Sequence, residues 1–280
     1  MPHRKYVDAA RRQMSTYSGH YPIERRPGEI ERLYLQGAAM APDTEVMLNR
    51  IGVSEGWSCL DLGCGPRGIT DLLSTRAGAS GHVIGLDMDG QFLEVARAGA
   101  PKNVEFRQGD AYGSDLPAGS FDLVHMRFVA STAGDPEHLL RESIRLVRPG
   151  GIVALQEPDG SSLNCHPPNP AWDRLKAALL GAFSSVGADL QLGKRLYAIV
   201  RQAGLEDVQY RPFVIGVRSG DPMADYLPST VESLRGTVVA RGYLREHEFS
   251  DVIEECRDHL RKPDTSFTMY TVAQVWGRRV

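Results

Sequence analysis

The sequence predicts an α/β protein, built on a doubly wound, mostly parallel sheet of seven strands with helices on both faces. Three observations predict it. From about residue 56, short apolar runs alternate with stretches whose apolar residues recur at helical spacing. The links between them are short, so successive strands lie parallel and right-handed crossovers cover both faces. A glycine-rich turn, "LDLGCGPRGIT" at residues 60–70, joins the first strand to the first helix of the alternation.

The elements follow in order. "WSCLDLG" is the first strand, and "GITDLLSTRA" continues as a helix. "HVIGLDMD" is the second strand, followed by the helical run "GQFLEVARAGA". "NVEFRQGDA" and "FDLVHMRF" are the third and fourth strands. "PEHLLRESIRLV" has helical spacing and stops at Pro149-Gly150-Gly151, after which "GIVALQEPD" is the fifth strand. "LEDVQYRPFVIGV" reads as the sixth, and the alternating, aromatic-rich "SFTMYTVAQVWG" as the last. Residues 1–55 read as a helical lid, with a broken apolar stripe of Ile30, Leu33, Leu35, Met40, Val46, Met47 and Leu48. Residues 219–264 carry two more helical patterns between the last two strands. The expected organisation is therefore a lid over 1–55, a core over 56–218, a cap over 219–264 and a final core strand over 265–280. Such a cap sits above the carboxyl edge of the sheet, where open α/β sheets bind ligands.

Composition narrows the function classes. With 42% hydrophobic and 24% charged residues the chain reads as an ordinary globular protein, and its net charge of −3 argues against a nucleic-acid partner. Cys59, Cys64, Cys165 and Cys256 lack metal-like pairing and read as reduced thiols, as expected in the cytoplasm. The start, "MPHRKYVDAARRQ", is charged and is no secretory signal, and no stretch approaches 18 apolar residues. The expectation is a cytoplasmic monomer or homodimer that does not engage membranes and binds no metal.

Gly63, Gly65 and Gly68 satisfy G-x-G-x-x-G, the loop that sets backbone N–H groups against a ligand at a helix N-terminus. Asp87 lies 19 residues past Gly68, where a ribose-binding carboxylate belongs. Two ligands compete for this loop. A nicotinamide or flavin dinucleotide brings a pyrophosphate, which the carboxylate of Asp61 would repel. S-adenosylmethionine (SAM) brings an ammonium and a sulfonium, which that carboxylate attracts. Asp61 could instead brace the loop.

In order and spacing, "LDLGCGPRGIT", "VIGLDMD", "FRQGDA", "FDLVHMRF" and "RLVRPGGIVALQEPD" resemble the signature segments of the class I SAM-dependent methyltransferases. The resemblance covers roughly residues 50–160, and the tail resembles the family's final antiparallel strand pair. It implies SAM as cofactor, S-adenosylhomocysteine as product, and methyl transfer to an oxygen, nitrogen or carbon of a small-molecule acceptor. It implies that the backbone around Gly63, Cys64 and Gly65, with Asp61, faces the amino-acid end of SAM. Asp87 would take the ribose hydroxyls and Met88 would pack on the adenine. Asp110 and Ala111 would meet the adenine's edge, with His125 near the cofactor through its backbone. Tyr21 and Gln36 would reach it from the lid. The family usually has glycine at position 67, where this chain has Arg67. Either Gly68 takes over that role, or Arg67 keeps ordinary dihedrals and projects outward; a substrate contact is the third reading.

Methyl transfer from a sulfonium is chiefly a matter of positioning, and a general base matters only when the acceptor must lose a proton. The candidates lie at the carboxyl ends of strands four and five. His125 and Glu157 are the catalytic candidates, each with a purely structural alternative, and Arg127, Tyr17 and His166 are the substrate candidates. No Asn-Pro-Pro-Tyr follows strand four and no Pro-Cys pair follows strands four or five, which disfavours the amino-methylating and 5-methylcytosine chemistries. Two other readings stay open on the residues: a dinucleotide-dependent oxidoreductase, and a SAM-binding protein that does not methylate.

Overall fold

Buried on both faces, a parallel strand needs no polar alternation, and the apolar runs fold accordingly. The computed structural model describes residues 28–280. Helix α1 (Glu29–Ile51) comes first, then β1 (Ser58–Leu62), α2 (Thr70–Ala77), β2 (His82–Asp87), α3 (Gly90–Arg97) and β3 (Val104–Gln108). The second half of the alternation is β4 (Phe121–Arg127), α4 (Ala130–Ala133), α5 (Pro136–Leu146) and β5 (Val147–Asp159). Next come β6 (Asn164–His166), α6 (Pro170–Ser184), α7 (Leu196–Gln202), β7 (Glu206–Phe213) and β8 (Gly216–Arg218). The chain ends with α8 (Tyr226–Glu232), α9 (Arg235–Ala240), α10 (Glu246–Leu260), β9 (Ser266–Thr268) and β10 (Thr271–Arg278).

Seven strands form the main sheet in the order β3-β2-β1-β4-β5-β10-β7. The first five are mutually parallel, and β10 runs antiparallel to both β5 and β7. Chain order reverses between β1 and β4, which makes the carboxyl ends of those two strands the switch point where a crevice opens.

Two expectations about the elements need correction. The sixth and last runs are each two strands. Their ends β8 and β9 leave the main sheet and pair antiparallel with β6 in a second, three-stranded sheet. The cause is a competing core. Phe267 of β9 tilts against Trp172 of α6 at 4.9 Å between ring centroids, and Val217 of β8 is buried in the same cluster. The cap is accordingly larger than residues 219–264. Helix α6, preceded by β6, joins three helices, not two, around Leu175, Leu179, Val231, Phe249 and Ile253.

Helix α1 ends on Gly52, in the left-handed region at φ 83°, whose N–H donates to the Leu48 carbonyl at 3.0 Å. Its buried face differs from the expected stripe. Leu35 and Val46 are exposed, and the face turned inward is Gln36, Met40, Thr44, Met47 and Leu48. Two polar side chains on a buried helix face require partners, and both find them at the sheet's ligand end.

Candidate active site

The loop after β1 is held by backbone geometry. The N–H groups of Gly63 and Cys64 both donate to the Leu86 carbonyl, at 2.7 and 3.1 Å, tying the turn to the end of β2. Gly63 has φ 67°, and a Cβ there would run into the side chain of Val129. Gly68 has φ 55°, and a Cβ there would strike the Asp61 carboxylate and stand 2.8 Å from the Cys64 carbonyl. Position 68 thus does what the family's glycine at 67 was expected to do. Arg67 turns its guanidinium onto the end of α3, donating to the carbonyls of Ala98 (2.8 Å), Gly99 (2.9 Å) and Ala96 (3.1 Å), and to Asp71 at 2.9 Å. A cation on those carbonyls suits the negative end of the helix dipole. Its donors are engaged there, which leaves the substrate reading without support.

Both oxygens of Asp61 are occupied. One accepts the Ile69 N–H at 2.9 Å and bridges the loop; the other lies 2.7 Å from Nδ1 of His125. From His125 a row of side chains crosses one face of the sheet. Gln156 Nε2 donates to His125 Nε2 at 2.9 Å, which leaves Nδ1 as the protonated ring nitrogen. Gln156 Oε1 accepts from Gln274 at 2.9 Å and from Thr44 of α1 at 3.2 Å. Gln274 accepts from Arg211 at 2.8 Å, and Arg211 reaches Asp43 of α1 at 2.5 Å. The strand register aligns these side chains: Asp61 pairs with His125, Gln156 with Gln274, and Gln274 with Arg211.

Around the loop lies a cavity of about 1340 Å³ between the sheet's carboxyl edge, α1 and the cap. One half is built on the loop and carries acids. Asp87 accepts the N–H of Gly65 at 2.7 Å on one oxygen and that of Asp89 at 2.8 Å on the other, and burial pushes its pKa above the ordinary range. Met88, 62% exposed, stands at the rim, and Asp110 and Ala111 complete this half. Cys64 lines it too, with its thiol pushed well above the ordinary pKa by burial. The other half is aromatic and apolar. Gln36 of α1 donates to the Tyr270 hydroxyl at 2.7 Å, and the Tyr226 and Tyr270 hydroxyls lie 2.8 Å apart. Phe128, at φ 59°, meets the edge of Tyr270 with ring centroids 5.5 Å apart. A positive φ on a bulky residue is costly and is typically kept at ligand sites.

Of the residues singled out from sequence, the structure brings Asp61, Gly63, Cys64, Gly65, Asp87, Met88, Asp110, Ala111, Gln36 and Arg127 to the cavity wall. Three are corrected. His125 is fully buried beneath α1, and both its ring nitrogens serve the row, so it has no face for substrate. Glu157 is likewise fully buried, and its oxygens accept the N–H groups of Ala130 (3.0 Å) and Ser131 (3.1 Å) at the start of α4. Burial pushes its carboxyl up to about 7 despite those donors. His166 is exposed on β6, paired with Ser266 in the cap sheet and away from the cavity. Tyr17 and Tyr21 lie outside the described residues. Sequence reasoning missed Tyr226, Tyr270 and Phe128; alternation in "SFTMYT" puts Tyr270 on the face opposite Phe267 and Met269, so no local pattern marked it.

Residues 60–155 match the family model for a methyltransferase domain. The chain is 40% identical over 114 residues to a demethylmenaquinone methyltransferase of Lactococcus lactis, covering 39% of this chain and 45% of that enzyme. It is 31% identical over 181 residues to the demethylmenaquinone methyltransferase of Bacillus cereus, covering 59% of this chain and 76% of that one. For several matched relatives the alignment spans about half their length. Among solved structures, phosphoethanolamine N-methyltransferase 2 of Haemonchus contortus, in complex with phosphomonomethylethanolamine and S-adenosylhomocysteine, has the same fold. Its TM-score is 0.51 at 17% identity, over 85% of this chain and 52% of that one. Among the described residues no helix is long and apolar enough to cross a membrane. The motif order, the sheet topology and the extent of the Bacillus cereus match together assign this chain to the class I SAM-dependent methyltransferases.

Proposed function

We propose that the protein transfers a methyl group from SAM to a small-molecule acceptor held between the sheet and the cap. The observation that carries this reading is the bare loop at the switch point, with the Asp61 carboxylate beneath it and Asp87 across from it. The residues fit this cofactor. A negative charge under the loop favours an ammonium and a sulfonium and would repel a pyrophosphate. Each oxygen of Asp87 accepts one backbone N–H and keeps a lone pair that would accept a ribose hydroxyl. Met88 would cover the adenine, with Asp110 and Ala111 at its edge, and Gln36 would close over the site from α1. Bound there, SAM supplies an electrophilic methyl group.

The chain's own residues orient the partners and exclude water. Gln36, Tyr226 and Tyr270 tie α1 to the cap and the last strand, closing the wall opposite the loop. His125 and Glu157 do not reach the cavity, so neither is assigned as general base; positioning is the contribution this site is built for. Space supports a small acceptor. At about 1340 Å³ the cavity exceeds the roughly 300–1000 Å³ of a usual single-ligand site, leaving room for cofactor and acceptor together. The demethylmenaquinone methyltransferases among the relatives support the same class of acceptor.

Asp87→Ala tests the cofactor half. Removing paired hydrogen bonds to a charged acceptor should weaken S-adenosylhomocysteine binding at least about tenfold in calorimetric titration. An unchanged affinity would mean that the ribose is held elsewhere.

A further inference from the structure

One charge in the cavity has no partner among the described residues. Of the arginines that line it, Arg32 pairs with Glu29, and Arg67 is spent on Asp71 and the end of α3. Arg127, the last residue of β4, has a guanidinium that makes no hydrogen bond or ion pair with any described residue. Burial lowers its pKa from the usual arginine value, while the fields of Asp61 and Tyr270 oppose that shift. Asp61 acts on it only at longer range: its oxygens are turned to the Ile69 N–H and to His125, and it makes no hydrogen bond or ion pair with Arg127. A guanidinium out of bulk water is costly unless an anion meets it, and the described residues place none against it.

Its surroundings say what kind of anion. Helix α1 passes over the guanidinium at Gly37, where a Cβ would lie 3.6 Å from a terminal nitrogen. Tyr270 stands within electrostatic reach, and Phe128 follows directly in sequence on the same wall. Leu179 and Phe183 of α6 line the same apolar half. A forked donor set among rings and aliphatic groups matches a planar oxyanion carried on an apolar body.

We propose that Arg127 anchors the acceptor, and that the methyl acceptor is therefore a carboxylic acid with an apolar, ring-sized body. The inference rests on the methyl-transfer reading and specifies its substrate class. The cofactor also carries a carboxylate, on its amino-acid end. The N–H groups of Gly63, Cys64, Gly65 and Ile69 are spent on Leu86, Asp87 and Asp61, which leaves those of Arg67, Gly68, Asp71 and Leu72, at the entry to α2, as donors for that one. Arg127 serves the aromatic half.

The test uses the full chain saturated with S-adenosylhomocysteine and two probes, 2-naphthoate and the isosteric neutral 2-naphthamide, titrated calorimetrically. The acid should bind wild type at least about tenfold more tightly than the amide, the usual scale for a charge-assisted bond. In Arg127→Gln this preference should vanish while S-adenosylhomocysteine affinity stays within about threefold. In Arg127→Lys, which keeps the charge but loses the fork, it should fall to an intermediate value. Should Arg127→Gln lack a cooperative melting transition, the lysine variant decides, and an undiminished preference there overturns the proposal. It is overturned equally if wild type binds neither probe or shows no preference for the acid. A tenfold loss of S-adenosylhomocysteine affinity in Arg127→Gln would overturn it too, assigning the guanidinium to the cofactor's carboxylate. Failure of wild type to bind S-adenosylhomocysteine at all would instead remove the underlying methyl-transfer reading.

Discussion

Glu157 illustrates how a residue at a catalytic address can serve the scaffold. It lies in the run of buried residues near the end of β5 and is held by two backbone N–H groups at the start of a short helix. Its carboxyl is pushed from an ordinary 4.5 to about 7 because burial outweighs those donors. A carboxyl with a raised folded-state pKa binds its proton more tightly when folded. Its contribution is present below the unfolded pKa and lost as pH rises through the folded one. Relative to Glu157→Gln, wild type should therefore lose about 3 kcal/mol of stability between pH 4.5 and 7, read from urea unfolding at each pH. Parallel pH profiles would mean that the carboxyl titrates normally. From sequence, His125 and Glu157 looked like candidate bases because both lie toward the carboxyl ends of central strands. Only the position of α1 and the start of α4 shows that neither reaches solvent or ligand. Arg67 was legible as an exception, but its partners just past the end of α3 lie about thirty residues away and no local pattern announces them.

At the scale of elements, α1 is more than a cover. Gln36 faces the cavity and Thr44 and Asp43 end the polar row, so one helix touches both the ligand wall and the network beneath the glycine loop. Gln156 lies in the buried middle, with partners on three sides. Gln156→Leu removes three hydrogen bonds at once, leaving His125 Nε2 and the Thr44 hydroxyl without these partners, and should cost about 2–4 kcal/mol by chemical denaturation. Arg211→Met, at the partly exposed end, should cost less than about 1 kcal/mol. Equal costs would contradict a cooperative buried row. The sequence made the strand-helix alternation and the glycine loop plain, because periodicity and Gly-Pro punctuation are local signals. It hid the splitting of "LEDVQYRPFVIGV" and "SFTMYTVAQVWG", where β-strand character continues across the break and only Trp172 and its neighbours decide which sheet each half joins. Thr44 was hidden for a similar reason: a polar residue on a helix reads as exposed until its partners are known.

For the whole molecule, function follows from two halves of one cavity. The sheet's switch point supplies a bare, acid-rimmed loop; α1 and the cap supply an aromatic wall, beside which Arg127 of β4 has no partner among the described residues. The first half was readable from five ordered segments. The second depends on contacts between residues far apart in sequence, such as Gln36 with Tyr270 and Trp172 with Phe267, and no motif records them. The central claim is that the loop holds SAM and not a dinucleotide. Calorimetric titration of the wild-type chain with S-adenosylhomocysteine and with NAD tests it most directly. The account predicts saturable binding of S-adenosylhomocysteine at one site per chain and no heat of binding from NAD. Binding of NAD with none of S-adenosylhomocysteine would contradict it.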